Sequence, residues 1–430
     1  MTEHSYNQAY EILMSKPVIH SLLENDFYTF SQQMAVLHQF PSTQVRAKFK
    51  CRNKADLTPI CRYLILELNR LCSLRFQEDE LQYLSNIPFL KPDYIDFLRV
   101  FKLNRNNISV YIFDGELCID ITGTWLHVIM FEVPVLAIVN ELYFRHLHHI
   151  TCQNCGKHCY KPYQACPDAG KEILLDKIYE VAANSCDSKY VLDEKIQPLK
   201  FADFGMRRRF SGDWQDYIVE ELKEQLPDNF IGTSNVYLAK KHNVKYIGTM
   251  SHQWIMSSQG MSNVRTSDSQ KYMLDAWVRE YRGDLGIALS DTLGFDAFLR
   301  DFDKFFAKLY DGVRHDSGCP FEWCEKLIKH YTNLGIDPMT KTAVFSDGLT
   351  FPVAYEIFDR FLGKIKMSFG IGTNLTNDCG YEPLQIVIKL TEVNGKPVAK
   401  ISDSKGKGMC TDDGYLSYLR KEFKIGEYAE

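Results

Sequence analysis

The sequence predicts an α/β protein in which a (β/α) barrel, closed or irregular, adjoins an α+β part. From about Leu199 onward, short apolar runs alternate seven times with amphipathic helical stretches, the pattern of βαβ units with a parallel sheet. Seven such units in series favour a barrel over an open sheet. Asp114-Gly115 and Asn394-Gly395 stand outside this region, each between apolar runs, and predict antiparallel hairpins.

The N-terminal part is a mixture of helix and strand signals. Val45–Cys51 alternates as a half-buried strand does, and Pro59–Leu74 is apolar at helical spacing. Ser109–Phe113 and Leu117–Thr122 are the two strands of the first hairpin. Val133–His146 predicts a buried helix.

The barrel region supplies seven candidate strands and five helices between them. The strands are expected to begin at Leu199, Asn229, Val244, Leu285, Gly312, Thr342 and Lys366. The helices are expected over Trp214–Leu226, Ser269–Tyr281, Phe295–Tyr310, Pro320–Leu334 and Pro352–Leu362. The last hairpin, Gln385–Thr391 with Lys396–Ser402, is expected to pair back onto the N-terminal sheet.

Composition argues against several classes of protein. The 430 residues suggest two or three domains, and 50 Lys+Arg against 55 Asp+Glu give a net charge of −5, which disfavours nucleic acid as a partner. The most apolar run, Val128–Val139, contains Glu132 and Pro134 and is shorter than the ~20 residues of a membrane span. Because the first residues also lack the apolar core of a signal peptide, we expect a cytoplasmic protein with no membrane partner. Thirteen cysteines in such a chain indicate reduced thiols.

Each predicted barrel strand ends in a short polar segment that contains glycine, serine or a charged residue. These segments are Asp203–Arg209, Gly232–Asn235, Gly248–His252, Ser290–Thr292, Arg314–Gly318, Ser346–Gly348 and Gly370–Thr373. One such segment alone is more often a turn than a site. Seven of them at C-terminal strand ends predict one active-site mouth, because those ends converge in a (β/α) barrel.

The residues in these segments suit a polyphosphorylated ligand. Gly372 and Thr373 offer backbone N–H groups and a hydroxyl at the end of the last strand. The candidates for bidentate phosphate contacts are Arg207, Arg208, Arg209 and Arg314. The candidates for holding Mg²⁺ through water are Asp291, Asp316 and Asp347. The alternative is a solvated arginine run with structural aspartates in the loops.

His252 follows a Gly-Thr pair at a strand end and is expected to face the same mouth. Its imidazole suits a general base or a phosphoryl acceptor, because a ring nitrogen is a nucleophile. The residues alone leave both roles open.

Taken together, these segments resemble the nicotinate phosphoribosyltransferase family of the bacterial type. The most specific pieces, in the family order, are FADFGMRRRFS, IGTSN, IGTMSHQW, LGIALSDT, GVRHDSG and FGIGTNLT, and the resemblance runs from Asn25–Tyr28 to Ile401–Ser404. It implies the type II phosphoribosyltransferase fold: an α+β sandwich domain from residues 1–140 and 382–430, and an irregular α/β barrel over 141–381. It also implies joining nicotinate to phosphoribosyl diphosphate, coupled to ATP hydrolysis, with Mg²⁺.

The resemblance assigns roles residue by residue. His252 resembles the histidine that ATP phosphorylates, and Arg314 and Asp316 join it as catalytic residues. Thr249 and Ser234 are expected near nicotinate. In the related nicotinamide enzyme the residue at the position of Ser234 resembles an Asp, which would repel a carboxylate, so Ser234 favours the acid. The other residues expected to bind substrates are Tyr28, Phe204 (or Phe210 for ring stacking), Arg207, Asp291, Ser317, Gly372 and Thr373. Tyr28 resembles a tyrosine that reaches the pyridine ring from a partner subunit, which implies a homodimer with shared active sites.

Three features depart from the family pattern. Gln253 stands where relatives often have Glu, and Cys319 where they usually have Asp. The first substitution bears on proton transfer at His252. The second bears on the metal or phosphate contacts near Asp316. The third is an addition to the pattern: Cys152, Cys155, Cys159 and Cys166 lie close together in the sequence and are candidates for a zinc cluster, the alternative being a set of free thiols.

Two other functions compete with this one. The first is another type II phosphoribosyltransferase that uses nicotinamide or quinolinate. The second is a non-catalytic barrel that acts as a zinc-bearing binding module.

Overall fold

The computed structural model describes residues 3–154, 163–185 and 198–426. Two sheets organise this part of the chain: a five-stranded antiparallel sheet built from both ends of the chain, and a six-stranded parallel sheet between them. The mixed α/β class and the separation of the two kinds of sheet confirm the predicted fold class.

The strands of the antiparallel sheet are β1 Gln44–Cys51, β2 Ile108–Phe113, β3 Glu116–Thr124, β11 Ile386–Val393 and β12 Lys396–Pro397. Their order across the sheet is β12-β11-β1-β3-β2. Strand β1 lies at the centre because it pairs with β3 on one side and with β11 on the other. The prediction that the last hairpin pairs back onto the N-terminal sheet is therefore confirmed.

Both predicted hairpins form at their Asp-Gly and Asn-Gly turns. Asp114 and Gly115 have φ of 49° and 75°, and Asn394 and Gly395 have φ of 50° and 75°, as a type I′ turn requires. The second strand of the last hairpin is shorter than the predicted Lys396–Ser402. It covers Lys396 and Pro397, and the last hydrogen bond to the neighbouring strand is donated by the Val398 N–H to the Thr391 carbonyl at 3.0 Å.

The strands of the parallel sheet are β4 Phe201–Asp203, β5 Phe230–Thr233, β7 Ile287–Leu289, β8 Gly312–His315, β9 Thr342–Phe345 and β10 Lys366–Ile371. Their order across the sheet is β5-β4-β10-β9-β8-β7, and a short strand outside this sheet, β6 Arg282–Leu285, precedes β7. The prediction of a strand from Val244 is wrong, since that segment makes one isolated bridge, between Thr233 and Tyr246.

The segment after Val244 nevertheless links the two edge strands of the parallel sheet. The Ile247 N–H donates to the Thr233 carbonyl of β5 at 2.9 Å, and the Thr249 hydroxyl donates to the Ile287 carbonyl of β7 at 2.9 Å. Gly248, with φ of 148°, bends the backbone out of a regular strand. The sheet is therefore continued irregularly where a regular barrel would have a seventh strand.

The helices cover both sheets. Before the parallel sheet they are Glu3–Met14, Phe27–Gln39, Cys61–Leu71, Glu78–Ser85, Pro92–Val100, Trp125–Val128, Glu132–Asn154 and Asp168–Ser185. From there onward they are Gly212–Gln225, Val236–His242, His252–Ser257, Ser269–Tyr281, Phe295–Asp301, Lys304–Leu309, Pro320–Asn333, Phe351–Phe361, Thr373–Thr376 and Asp413–Glu422. The predicted helix Phe295–Tyr310 is two helices, because the Asp303 carboxylate caps a new one at the N–H groups of Phe305 and Phe306.

Helix Glu132–Asn154 braces the turn that follows β4. Asn140 donates from Nδ2 to the Arg209 carbonyl at 2.5 Å, and the Glu141 carboxylate accepts from the Gly212 N–H at 2.9 Å. By length and composition alone the helical stretch Trp125–Thr151 is apolar enough to cross a membrane, but 94% of its most apolar window is buried inside the protein. Its apolar character is therefore explained by core packing.

Candidate active site

Two adjoining cavities lie where the carboxyl ends of the parallel strands meet. The larger has a volume of about 410 Å³ and the smaller about 230 Å³. Tyr28, Phe204, Arg207 and Arg314 line both of them, so these four residues form the junction between the two spaces. Six of the seven polar strand-end segments thus contribute residues to one mouth, the exception being Ser290–Thr292.

The larger cavity is rich in positive charge. The basic residues in its wall are Arg52, Arg207, Arg208, Arg314, Lys389, Lys400 and Lys407. Gly372 and Thr373 line the same space, as predicted. Phe204 fits against the strand below them because Gly370 has no side chain: a Cβ there would lie 2.2 Å from the phenyl ring.

Arg209 is an exception to the predicted arginine set. It is buried away from the mouth, where its Nη2 donates to Glu24 at 2.8 Å and to the Val18 carbonyl at 3.3 Å. It ties the N-terminal segment to the barrel, and we assign it no contact with phosphate.

His252 lies at the start of helix His252–Ser257 and faces the larger cavity. Its Nε2 lies 2.8 Å from Asp291 Oδ1 and 3.4 Å from Asp316 Oδ2, whereas Nδ1 has no hydrogen-bond partner among the described residues. Burial, together with the nearby Lys400 ammonium, lowers the pKa of His252 to about 3 despite the opposing effect of Asp291. The imidazole is therefore neutral at pH 7, with Nε2–H directed at Asp291 and a lone pair on Nδ1.

Asp291 and Ser317 do not line either cavity, and their assignment as substrate-binding residues stays a prediction. Asp291 Oδ2 accepts from the Ser317 hydroxyl at 2.7 Å and from Lys400 Nζ at 2.8 Å, while Oδ1 is used by His252. Both residues are almost wholly buried. Together they orient the imidazole of His252 from behind.

The three aspartates predicted to hold Mg²⁺ do not form one site. Asp291 has its oxygens occupied as described, and Asp347 is paired with Lys407. Asp316 lines the larger cavity, where Oδ1 accepts from Arg314 Nη2 at 3.1 Å and from the Ser346 hydroxyl at 3.0 Å. The carboxylates of Asp291 and Asp316 do lie near each other and near His252, but Lys400 already supplies the compensating charge.

The smaller cavity is largely apolar, with an aromatic wall. Phe204 and Tyr28 line it along with Ile247 and Ile287, whereas Phe210 packs against Phe144 elsewhere in the core. Phe204 is therefore the phenylalanine at the site.

The hydroxyls of Ser234 and Thr249 line the smaller cavity, but each already donates a hydrogen bond within the protein. Ser234 Oγ donates to Asp26 Oδ1 at 2.7 Å, and Thr249 Oγ1 donates to the Ile287 carbonyl at 2.9 Å. The Ser234 hydroxyl is therefore engaged with Asp26, and the preference for the acid that Ser234 is expected to confer stays a prediction. The hydroxyl proton of Ser234 is directed at the carboxylate of Asp26, and Asp26 itself lines this cavity.

Tyr28 reaches the cavities from its own chain. The Phe27 N–H donates to the Ser234 carbonyl at 2.8 Å, which fixes the start of helix Phe27–Gln39 over the mouth. The Arg207 guanidinium lies 5.9 Å from the Tyr28 ring centre, and the Tyr28 hydroxyl is buried without a partner. Tyr28 thus lines both cavities of its own chain, and its reach from a partner subunit stays a prediction.

Sequence profiles and solved structures agree on the relationship of this chain. The nicotinate phosphoribosyltransferase (NAPRTase) family profile matches residues 199–427, and the profile of its N-terminal domain matches residues 23–140. The nicotinate phosphoribosyltransferase of Ralstonia nicotianae is 47% identical over 414 residues, covering 95% of this chain and all of that protein. The Bordetella petrii enzyme is 48% identical over 413 residues, 95% of this chain and 99% of its own.

The chain belongs to the nicotinate phosphoribosyltransferase family. Its structure is similar to that of the nicotinate phosphoribosyltransferase from Vibrio cholerae, with a TM-score of 0.86 and 38% identity over 96% of this chain and 95% of that one. It is also similar to the Porphyromonas gingivalis enzyme, with a TM-score of 0.83 and 33% identity over 95% of this chain and all of that chain.

The two substituted positions have different surroundings. Gln253 turns away from His252, since its Nε2 donates to the Glu132 carboxylate and its Oε1 accepts from Trp125 Nε1 at 3.2 Å. Cys319 is exposed and precedes helix Pro320–Asn333 as an N-cap without a side-chain hydrogen bond. Neither residue contacts the Nδ1 atom of His252 or the Asp316 carboxylate.

The proposed zinc cluster falls largely outside the described residues. Cys155 and Cys159 lie in the undescribed segment, as does the side chain of Cys152, while Cys166 is a free, half-buried thiol.

The sequence reading missed Asp26 and Glu132, two buried carboxylates near the junction, and the three lysines of the larger cavity. In the sequence Asp26 stands out only as part of the segment Asn25–Tyr28, and Glu132 only as a charge that interrupts an apolar run. The lysines belong to the C-terminal strands and loop. The run Lys400–Lys407 was the available signal for two of them, since it places basic residues beside serine and glycine.

Proposed function

We propose that this chain joins nicotinate to phosphoribosyl diphosphate, forming nicotinate mononucleotide and diphosphate, with ATP hydrolysis coupled through His252. The observation that carries this proposal is the pair of adjoining cavities. One is walled by seven arginines and lysines and suits phosphates, and the other is largely apolar and of a size for one aromatic ring. They meet at Arg207 and Arg314, where the two substrates must react.

The reaction needs positioning and electrostatic stabilisation. The bond from the anomeric carbon to the diphosphate oxygen breaks as the pyridine nitrogen forms a bond to that carbon. Tyr28 and Phe204 hold the pyridine ring in the smaller cavity, which aligns its nitrogen with the ribose in the larger one. The basic residues of the larger cavity stabilise the charge that develops on the leaving diphosphate.

Arg314 is the residue best placed for the nicotinate carboxylate. Its Nε donates to the Ser346 hydroxyl at 2.7 Å and its Nη2 to Asp316, which fixes the guanidinium 5.7 Å from the Phe204 ring centre. The hydroxyls of Ser234 and Thr249 donate to other protein atoms. Arg314 is therefore the residue that we propose binds the nicotinate carboxylate.

His252 is the proposed phosphoryl acceptor. The Nδ1 lone pair attacks the terminal phosphorus of ATP, a P–N bond forms, and the bond to the ADP oxygen breaks. The positive charge that develops on the ring is stabilised by Asp291, which holds Nε2–H. Asp316, 3.4 Å from the same nitrogen, adds a second negative charge.

Mg²⁺ neutralises part of the diphosphate charge when it is bound. Asp316 at the wall of the larger cavity fits a water-mediated role toward it, and we assign no direct protein ligand. ATP is the proposed co-substrate, and the proposed location is the cytoplasm.

Two structural proposals accompany this function. The first is a division into residues 1–140 with 382–430, and residues 141–381, supported by the segregation of the antiparallel and parallel sheets. The second is a homodimer with shared active sites, which light scattering tests. Tyr28 lines both cavities of its own chain, and a contribution of Tyr28 to the partner's site remains part of this second proposal.

The test is a product assay on the purified protein with phosphoribosyl diphosphate and, in parallel, nicotinate, nicotinamide and quinolinate. We expect nicotinate mononucleotide as the main product. Nicotinamide is the sharpest competitor, because the Asp26 carboxylate in the smaller cavity is an acceptor for an amide. Preferential formation of nicotinamide mononucleotide would favour the alternative transferase, and bound zinc without turnover would favour the binding module.

A further inference from the structure

Gln253 connects the helix that bears His252 to Arg207 through a buried carboxylate. We propose that Gln253 is a positioning residue: its amide holds the Glu132 carboxylate so that this carboxylate fixes the Arg207 guanidinium at the junction of the two cavities. The expected effect on turnover rests on the proposed function, whereas the contacts of Gln253 do not depend on that function.

The orientation of the Gln253 amide is set by its neighbours. Trp125 is fully buried, and its indole N–H is a donor only, so Gln253 Oε1 must face it at 3.2 Å. The amide nitrogen then points at Glu132 and donates to Oε2. No other orientation satisfies both neighbours.

The other oxygen of Glu132 faces Arg207. Glu132 Oε1 lies 3.8 Å from Arg207 Nη1, and Asp26 Oδ2 lies 3.5 Å from Arg207 Nε. Burial by itself lowers the pKa of Arg207, but the neighbouring Tyr28, Asp26 and Glu132 outweigh it and raise that pKa overall. The guanidinium is thus held between two buried carboxylates while it lines both cavities.

Further titratable groups face Glu132 from the surrounding elements. Asp26 and Tyr28 belong to the segment at the start of helix Phe27–Gln39, and Lys389 belongs to β11. Arg207 and Arg208 belong to the turn after β4 and line, with Lys389 and Glu132, a small cavity of about 30 Å³. Glu132 is therefore the anion around which three cations are arranged.

The side chain at position 253 decides whether Glu132 faces an amide donor or a second carboxyl group. With Glu at this position, one oxygen accepts from Trp125 and the other opposes Glu132, so that the two carboxyl groups must share a proton. With Gln, the amide donates to Glu132 and no proton has to be shared, so the carboxylate faces Arg207 without competition from a second carboxyl group.

The test compares Gln253→Ala and Gln253→Glu with the same substitutions at Gln270. Gln270 is a matched control, because it is a buried amide that donates to the Asp301 carboxylate at 2.9 Å and lines neither cavity. The readouts are the Kd for inorganic diphosphate, measured by calorimetry from pH 5 to 7.5, and the KM and kcat of the transfer reaction. Circular dichroism establishes that each variant is folded.

We expect Gln253→Ala to weaken diphosphate binding about tenfold at every pH, because a misplaced guanidinium loses its contacts. Gln253→Glu should bind like the wild type at pH 5, where the shared proton restores the donor, and weaken progressively toward pH 7.5. KM for phosphoribosyl diphosphate should follow the same pattern. The Gln270 variants should change stability but neither the Kd nor its pH dependence.

Wild-type affinity in both Gln253 variants at all pH values would overturn the inference, as would equal losses in the Gln270 variants. If Gln253→Ala does not fold, Gln253→Glu at pH 5 and 7.5 decides alone. Diphosphate binding without nicotinate mononucleotide formation would refute the proposed function and leave the role of Gln253 standing. Absence of diphosphate binding by the wild type would refute both.

Discussion

Asp291→Asn should damage both the phosphorylation of His252 and the stability of the fold. Asp291 is a buried carboxylate with His252 Nε2 and Lys400 Nζ each 2.8 Å away. Asparagine has the same shape as aspartate but lacks the negative charge that balances the Lys400 ammonium. Lys400 is only 4% exposed. Leaving one partner of a buried ion pair unmatched costs about 3–5 kcal/mol.

The effect on phosphoryl transfer follows from the charge that forms on the ring. An ion pair at a charge separation of about 4 Å is worth about 4 kcal/mol at an effective dielectric constant of about 20, which sets an upper limit of about 10³-fold on the loss of rate. A second effect acts in the same direction. An asparagine amide that donates to Nε2 moves the ring proton to Nδ1 and removes the nucleophilic lone pair.

The assay is transfer of labelled phosphate from the terminal position of ATP to the protein, alongside denaturant unfolding. Asp296→Asn is the matched control, because Asp296 pairs with Lys326 at the surface and is worth little to stability. We expect Asp291→Asn to be labelled at least tenfold more slowly and to unfold at lower denaturant. Labelling at the wild-type rate in a fully folded Asp291→Asn protein would refute the assigned role of Asp291.

Three other substitutions give independent tests. Burial and the neighbouring Lys400 and Arg207 lower the pKa of Lys389 to about 8, so the ammonium loses its charge as the pH rises through that value. KM for phosphoribosyl diphosphate should therefore rise above pH 8. Lys389→Arg should move that rise to higher pH. Cys319→Asp should raise the free energy of unfolding by about 1 kcal/mol, measured with urea, because an aspartate at this N-cap accepts from the helix N–H groups. Gly205→Ala should destabilise by about 1–3 kcal/mol, since its Cβ would lie 2.1 Å from the Thr376 hydroxyl; Gly426→Ala, with open space around the Cβ, is the control for thermal unfolding.

Features of the fold that depend on local chemistry were predictable from the sequence. The turns at Asp114-Gly115 and Asn394-Gly395 need residues that accept positive φ, and the sequence supplies them. The polar strand ends were visible because each follows an apolar run. The irregular segment after Val244 was not predictable as such, because its apolar pattern resembles a strand while Gly248 and the pairing geometry prevent one.

The contacts that tune the site are long-range and leave no local signal. Ser234 and Asp26 are 208 residues apart in the chain, and Gln253 and Glu132 are 121 apart. The family pattern placed Ser234 near the pyridine ring, but only the fold shows that its proton is directed at Asp26. For the same reason the sequence does not reveal that Asp291 lies behind His252, with Ser317 and Lys400 on its other oxygen.

The central claim is that His252 couples ATP to nucleotide formation at the paired cavities. The most direct measurement is the rate of nicotinate mononucleotide formation with and without ATP, for the wild type, His252→Ala and His242→Ala, where His242 pairs with Asp216 away from the cavities. We predict that ATP accelerates the wild type and His242→Ala, whereas His252→Ala retains slow turnover that ATP does not change. Unchanged ATP stimulation in His252→Ala would contradict the account.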